Sequence, residues 1–169
     1  MVWLQFIILL FLGVIVWLIY PTFIGAVYVP TPMKNVRRML ELAKVSPEDV
    51  LYDMGSGDGR IIITAAEEYG AMAIGIEADP IRVAYTNWRI SRKGLKEKVS
   101  VVRENFYKTD LSDATVISVY QGIEINKKLG EKFLKELEPG SRVVSFFFKF
   151  EDWTPEILDD DLEIYVYTV

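Results

Sequence analysis

Leu51-Tyr52-Asp53-Met54-Gly55-Ser56-Gly57-Asp58-Gly59-Arg60 sets the architecture of this 169-residue chain. An apolar run at 50–52 meets an acid, three glycines then fall at every second position, and a second apolar run at 61–66 follows directly. The pattern reads as a buried strand, a tight turn and the start of a helix. Glycine in the turn lets backbone N–H groups approach a ligand, and the helix N-terminus favours negative charge. A second acid, Glu77, closes the next apolar run about 20 residues on, where a ribose-binding acid is expected.

Dinucleotide sites take G-x-G-x-x-G with pyrophosphate at the helix N-terminus. Here the spacing is G-x-G-x-G, and Asp53 precedes the first glycine. A carboxylate at that point repels pyrophosphate and suits an ammonium group. S-adenosyl-L-methionine carries an ammonium, a sulfonium and a ribose, and no phosphate, so the stretch reads as a methyl-donor site. The competing reading is an ordinary strand-to-helix turn with a structural Asp. Strand, acid, glycines, helix and distal acid falling in that order favour the site.

The chain contains no Cys and no His. That removes disulfides, zinc clusters, haem ligation, thiol nucleophiles, imidazole bases and the usual serine triads. Methyl transfer passes this filter, because displacement at a carbon activated by sulfonium can rest on orientation and desolvation. Asp159-Asp160-Asp161 resembles a metal cluster, but like charges on neighbouring residues cannot all face one ion, so a solvated turn is expected and no metal. The net charge is −5 and no Lys/Arg block that would track phosphates is visible, which argues against a nucleic-acid partner.

Residues 2–20 carry no charged side chain. About 20 helical residues span the hydrocarbon core of a bilayer. A secretory signal would show a basic start and a small-residue cleavage site, and neither is present. A transmembrane anchor over 1–21 is expected, with a cleaved signal and a buried core helix as the competing readings. The first basic residues, Lys34, Arg37, Arg38 and Lys44, lie on its C-terminal side. The positive-inside tendency then makes this a single-pass membrane protein with its catalytic domain on the cytoplasmic side.

Residues 22–48 form a lead-in segment and an N-terminal helix. Thr31-Pro32 has the form of an N-cap followed by proline at the first helical position. The donor-binding domain, 49–169, alternates strands and helices. Strands are expected at 49–54, 72–77, 99–103, 114–120 and 142–150, with helices at 59–69, 81–93 and 125–137. The tail, too short for another helix, reads as a closing hairpin. The fold class is therefore α/β, a Rossmann-like doubly wound, mostly parallel sheet of about seven strands. Ligands bind such sheets at the carboxyl ends of the strands, where Asp53, Gly55, Glu77, Asn105 and Tyr120 all fall.

These residues resemble a family. The part after Tyr28 is similar to the class I, seven-strand methyltransferases. Within them it resembles the branch of the archaeal broad-specificity protein lysine methyltransferase and the membrane-anchored mitochondrial lysine methyltransferases of the ATP synthase c subunit and the adenine nucleotide translocator. The stretches that match are Tyr28-Val29-Pro30-Thr31-Pro32, Tyr52 through Arg60, Gly75-Ile76-Glu77 and Asp113-Ala114-Thr115-Val116. Glu138-Pro139-Gly140-Ser141-Arg142-Val143-Val144-Ser145 and Asp152-Trp153 match too. The resemblance implies that Asp53, Gly55, Ser56 and Gly57 hold the methionine portion and that Gly59 sets the helix start. Glu77 and Ala78 would meet the ribose, Asn105 and Phe106 the adenine, and Thr31 would lie in the covering segment. Tyr120 would sit at the acceptor-side motif; Tyr120, Tyr28 and Phe146 are the candidates for lining an acceptor channel, with ordinary core packing as the competing reading of each. Gln121-Gly122 and Phe146-Phe147-Phe148 depart from the family pattern, so the acceptor pocket has its own shape.

The implied activity is N-methylation of lysine side chains in proteins at or near the membrane. The alternative is a methyltransferase for a lipid or other small apolar molecule. An RNA methyltransferase and a donor-binding protein without catalysis are the remaining readings.

Overall fold

The computed structural model describes Trp3, residues 5–13, Ile15 and residues 28–169. Its elements run α1 (Met33–Leu42), β1 (Val50–Met54), α2 (Arg60–Tyr69), β2 (Met72–Glu77), α3 (Pro80–Arg92), β3 (Val99–Arg103), β4 (Val116–Val119), α4 (Ile123–Glu136), β5 (Arg142–Phe146), β6 (Ile157–Asp159) and β7 (Ile164–Thr168). They build one 7-stranded sheet in the order β3-β2-β1-β4-β5-β7-β6. β1 to β5 are parallel, while β7 runs antiparallel to both β5 and β6. The expected doubly wound sheet and its closing hairpin are therefore both present.

The topology explains where a ligand can sit. From β1 the chain winds to β2 and β3, then returns to place β4 on the other side of β1. The crevice at this reversal lies at the carboxyl ends of β1 and β4. Alternation along β1 sends Leu51 to one core layer, with α1 and α2, and Tyr52 and Met54 to the other, with Leu129 and Phe133 of α4. β4 is buried at every position, Ser118 included, as a central parallel strand covered on both faces requires.

Several boundaries differ from expectation. Pro32, not Thr31, is the N-cap of α1, and no side chain caps it. The Pro32 carbonyl accepts from the amides of Asn35 and Val36, so the helix starts one residue later. At α3 the cap forms as expected: the Asp79 carboxylate accepts from the amides of Ile81 and Arg82. β5 ends at Phe146 instead of running to 150. Phe147 has φ +68 and the Phe148 amide bonds the Phe146 carbonyl at 2.8 Å, so the chain turns away from the sheet there. The acids at 159–161 fall at the end of a strand and in the turn after it. Asp159 ends β6 and pairs with Arg38 at 2.7 Å, and 160–163 form the turn.

Of the anchor segment, Trp3, 5–13 and Ile15 are helical, and Phe6 to Leu12 are exposed. Among the described residues no helix is long and apolar enough to cross a membrane. The rest of 1–21, and 22–27 of the lead-in segment, lie outside the described residues.

Candidate active site

The glycine turn is drawn tight by β2. The amides of Gly55 and Ser56 both donate to the Ile76 carbonyl at 2.9 Å, and the Gly57 amide donates to Glu77 Oε2 at 2.9 Å. The other Glu77 oxygen accepts from the Asp79 amide at 2.9 Å. Glu77 thus fixes the turn and the mouth of α3 together, with Ala78 exposed beside it. Gly55, Gly57 and Gly59 all take positive φ, and a Cβ on any of them would collide with Gln121, Tyr28 or Thr86 respectively. Side chains are excluded here by backbone conformation and by close approach.

Asp53 stands beneath this turn, 3% exposed. Its register partner on β4 is Ser118, whose hydroxyl donates to Asp53 Oδ1 at 2.5 Å. Burial pushes the Asp53 carboxyl up to about 7; the Ser118 bond opposes this, and Glu77 and Asp58 add to it. A buried acid with no cation beside it is poised to be ionised by an arriving ammonium. The fully buried carboxyl, the glycine backbone and the distal acid fit the donor that the sequence implies.

The lead-in segment is strapped across the turn. The Tyr28 ring lies against Gly57, with the Arg82 guanidinium 4.5 Å from its centre. Arg60 donates to the Thr31 carbonyl at 2.8 Å and to Asp58 at 2.8 and 2.9 Å. Arg89 adds a second contact to Asp58 at 3.1 Å. Tyr28 is therefore placed on the donor side of the crevice, and Thr31 is buried beneath the strap. Asn105 and Phe106 follow β3 in a turn where Asn105 Oδ1 accepts from the Tyr107 amide at 3.0 Å.

Across β1 the site changes character. Tyr120, just past β4, meets Phe146 edge-on at 4.8 Å and Phe148 at 6.2 Å. Phe147 packs edge-on against Phe148 at 4.9 Å. The bend that gathers these rings is held from below: Ser145 Oγ and Asn126 Nδ2 both donate to the Phe148 carbonyl, at 2.5 and 2.9 Å. A shallow groove of ≈ 590 Å³ opens beside them, lined by Gly122, Ile123, Glu124, Ile125, Phe148 and Glu151. The structure brings Tyr120 and Phe146 together as one aromatic wall and sets Tyr28 apart from it.

Gln121 is the residue that sequence reasoning underrated. It is 7% exposed, its Nε2 donates to the Met54 carbonyl at 2.8 Å, and it lies flat on Gly55. It thereby bridges the donor and acceptor sides of the crevice. Its Oε1 is buried with no hydrogen-bond partner among the described residues. The available signal was a polar residue just past a mostly apolar strand. Ser118 and Arg89 are further supports that no pattern in the sequence marked, while Asp58 and Arg60 lie within the glycine stretch without a role having been read for them.

A doubly wound sheet with an acid and a glycine turn at β1, a second acid at β2 and a reversed terminal hairpin defines a class I methyltransferase with S-adenosyl-L-methionine as its cofactor. The chain belongs to the family of the ANTKMT methyltransferase domain, whose model matches residues 53–157. It is 46% identical over 130 residues to a protein-lysine N-methyltransferase of Saccharolobus islandicus, covering 76% of this chain and 81% of that one. It is 31% identical over 129 residues to the Xenopus laevis lysine N-methyltransferase of the ATP synthase c subunit, 76% of this chain and 56% of that longer protein. A crystal structure described as an RNA methyltransferase from Salinibacter ruber, in complex with S-adenosyl-L-homocysteine, superposes with a TM-score of 0.81. The two are 40% identical over 83% of this chain and 94% of that one.

Proposed function

We propose that this methyltransferase N-methylates lysine side chains of proteins, acting at or near a membrane surface. The observation that carries the reading is the 46% identity to the Saccharolobus protein-lysine N-methyltransferase over 76% of this chain. The acceptor side suits the chemistry. A free lysine has a pKa of ~10.4 and attacks only after losing its proton. Tyr120, Phe146 and Phe148 form an apolar wall that disfavours the ammonium form. The same ring faces can hold a methylated amine. The donor supplies a methyl already activated on sulfonium, so the chain's task is to align the amine and exclude water. Asp53, Gly55, Ser56, Gly57 and Gly59 hold the amino-acid end of the donor, Glu77 and Ala78 its ribose, and Asn105 and Phe106 its base. Thr31 and Tyr28 cover it. The anchor at 1–21 keeps the domain on the cytoplasmic face, an assignment supported by the uncharged 2–20 stretch and the basic residues that follow.

Two other readings have an observation behind them. The run Phe146-Phe147-Phe148 would suit a lipid or other small apolar acceptor. The Salinibacter structure is described as an RNA methyltransferase. Radiolabelled S-adenosyl-L-methionine added to membrane and soluble fractions of the source cells separates the three. Base-stable label in protein bands, found on lysine by mass spectrometry and absent with Asp53→Ala, is the expected result. Label only in the organic extract, or only in RNA, overturns it.

A further inference from the structure

α3 is packed inside out. Its buried positions are Thr86 and Ile90, whereas Ile81, Tyr85 and Trp88 are 52%, 49% and 56% exposed. With exposed Ala84 and Arg92 they recur at helical spacing and occupy one face. A surface helix ordinarily turns its apolar stripe to the core, so an outward stripe marks a face that another body covers. The stripe is ordered: Tyr85 and Trp88 stack at 5.8 Å, and the Arg92 guanidinium lies 5.8 Å from the Trp88 ring.

Positive charge is concentrated along this helix and in the turn that follows it. Arg82, Arg89, Arg92, Lys93, Lys96 and Lys98 face a single acid, Glu97, between positions 80 and 98, in a chain of net charge −5. Arg82, Arg89 and Lys93 are engaged by Glu77, Asp58 and Glu67, while Arg92 and Lys96 make no ion pair among the described residues. An aromatic and aliphatic stripe rimmed by cations is the chemistry of a helix lying in the headgroup region of an anionic bilayer. A nucleic acid would ask for a longer track of unpaired cations and would gain nothing from Ile81. The tether agrees: Tyr28, a few residues after the uncharged 2–20 stretch, stacks on Arg82 at the start of this same helix.

We propose that the outer face of α3 docks on an anionic lipid surface. The inference rests on the membrane-proximal reading above and adds an orientation to it. The acceptor rings belong to the ends of β4 and β5, across β1 from the β2–β3 edge that α3 covers, so docking through α3 leaves them open to a protein substrate.

The absence of native cysteine makes the test direct. Full-length protein carrying Ala84→Cys is labelled with a polarity-sensitive fluorophore. It is reconstituted into phosphatidylcholine vesicles with and without phosphatidylglycerol, alongside Lys135→Cys on α4. A blue shift at 84 only in the anionic vesicles is expected, reversed by salt and lost in Tyr85→Ser/Trp88→Ser, with no shift at 135. Methyl transfer to a lysine peptide in detergent should be unchanged in that double variant. Identical emission in both vesicle types overturns the proposal. So does a lipid-free shift that grows with protein concentration, which would indicate a second copy, or a shift induced by RNA but not by phosphatidylglycerol. An active parent whose probe ignores lipid charge defeats this inference alone, whereas a parent inactive on every protein fraction defeats the assigned function.

Discussion

The two sides of the crevice are built by opposite means. The β1–β2 side offers backbone and charge: glycines with positive φ, a buried carboxyl, and acids and arginines that fix each other. The β4–β5 side offers rings and a sharp bend at Phe147, with polar groups kept underneath. A donor that carries fixed charges needs a preorganised polar cradle. An amine that must shed its proton needs the reverse, a surface that does not solvate charge. Gln121 and Ser118 both reach from the β4 side to β1, Gln121 to the Met54 carbonyl and Ser118 to Asp53.

That contrast can be broken one side at a time. The largest effect is expected for Gly55→Ala. Its Cβ would adopt a left-handed φ and collide with Gln121. A loss of roughly 100-fold in donor affinity should follow, measured by calorimetry with S-adenosyl-L-homocysteine. Tyr120→Ala should do the opposite, leaving that affinity unchanged while kcat on a lysine peptide falls roughly 100-fold through misalignment of the amine. Equal loss of donor binding in both variants would erase the distinction between the sides. Gln121→Met keeps the volume and removes the bond to Met54, so donor binding should weaken about tenfold. The smallest change is expected for Ser118→Ala. Loss of its bond should raise the Asp53 carboxyl further, moving the pH midpoint of donor binding upward by less than about 1 unit.

Asp53 also gives the ligand-free protein a pH signature. Its folded carboxyl binds a proton more tightly than the unfolded one, so stability should fall as pH rises from 3.8 towards about 7. Asp53→Asn should flatten that slope in thermal melts.

The two sides were also unequally legible in the sequence. Val50–Met54, Arg60–Tyr69 and Met72–Glu77 could be read almost to the residue, because glycine punctuation and apolar runs are local signals. The closing hairpin followed from a tail too short for a helix. The acceptor side depends on long-range contacts that leave no local trace. Asn126 on α4 supports a bend after β5, and the Phe147 amide bonds the Glu163 carbonyl ahead of β7. An extended run of phenylalanines reads as strand, whereas a positive φ at Phe147, held by local and tertiary bonds together, ends β5 at Phe146. Thr31-Pro32 carried the right cap chemistry, yet the Thr31 carbonyl accepts from Arg60 instead of opening the helix, which begins after Pro32. The outward stripe of α3 was hidden for a different reason. Periodicity reports a helix face and does not say which way it points.

If the buried Asp53 carboxylate holds the ammonium of the methyl donor, donor affinity must follow the ionisation of that carboxyl. Calorimetry of S-adenosyl-L-homocysteine binding to the full-length protein and to Asp53→Asn, across a pH series, tests it most directly. Affinity of the parent is expected to fall about tenfold per unit as pH drops below the carboxyl's value of about 7. Asp53→Asn is expected to bind weakly and without that slope. An Asp53→Asn variant that binds as tightly as the parent at every pH would contradict it.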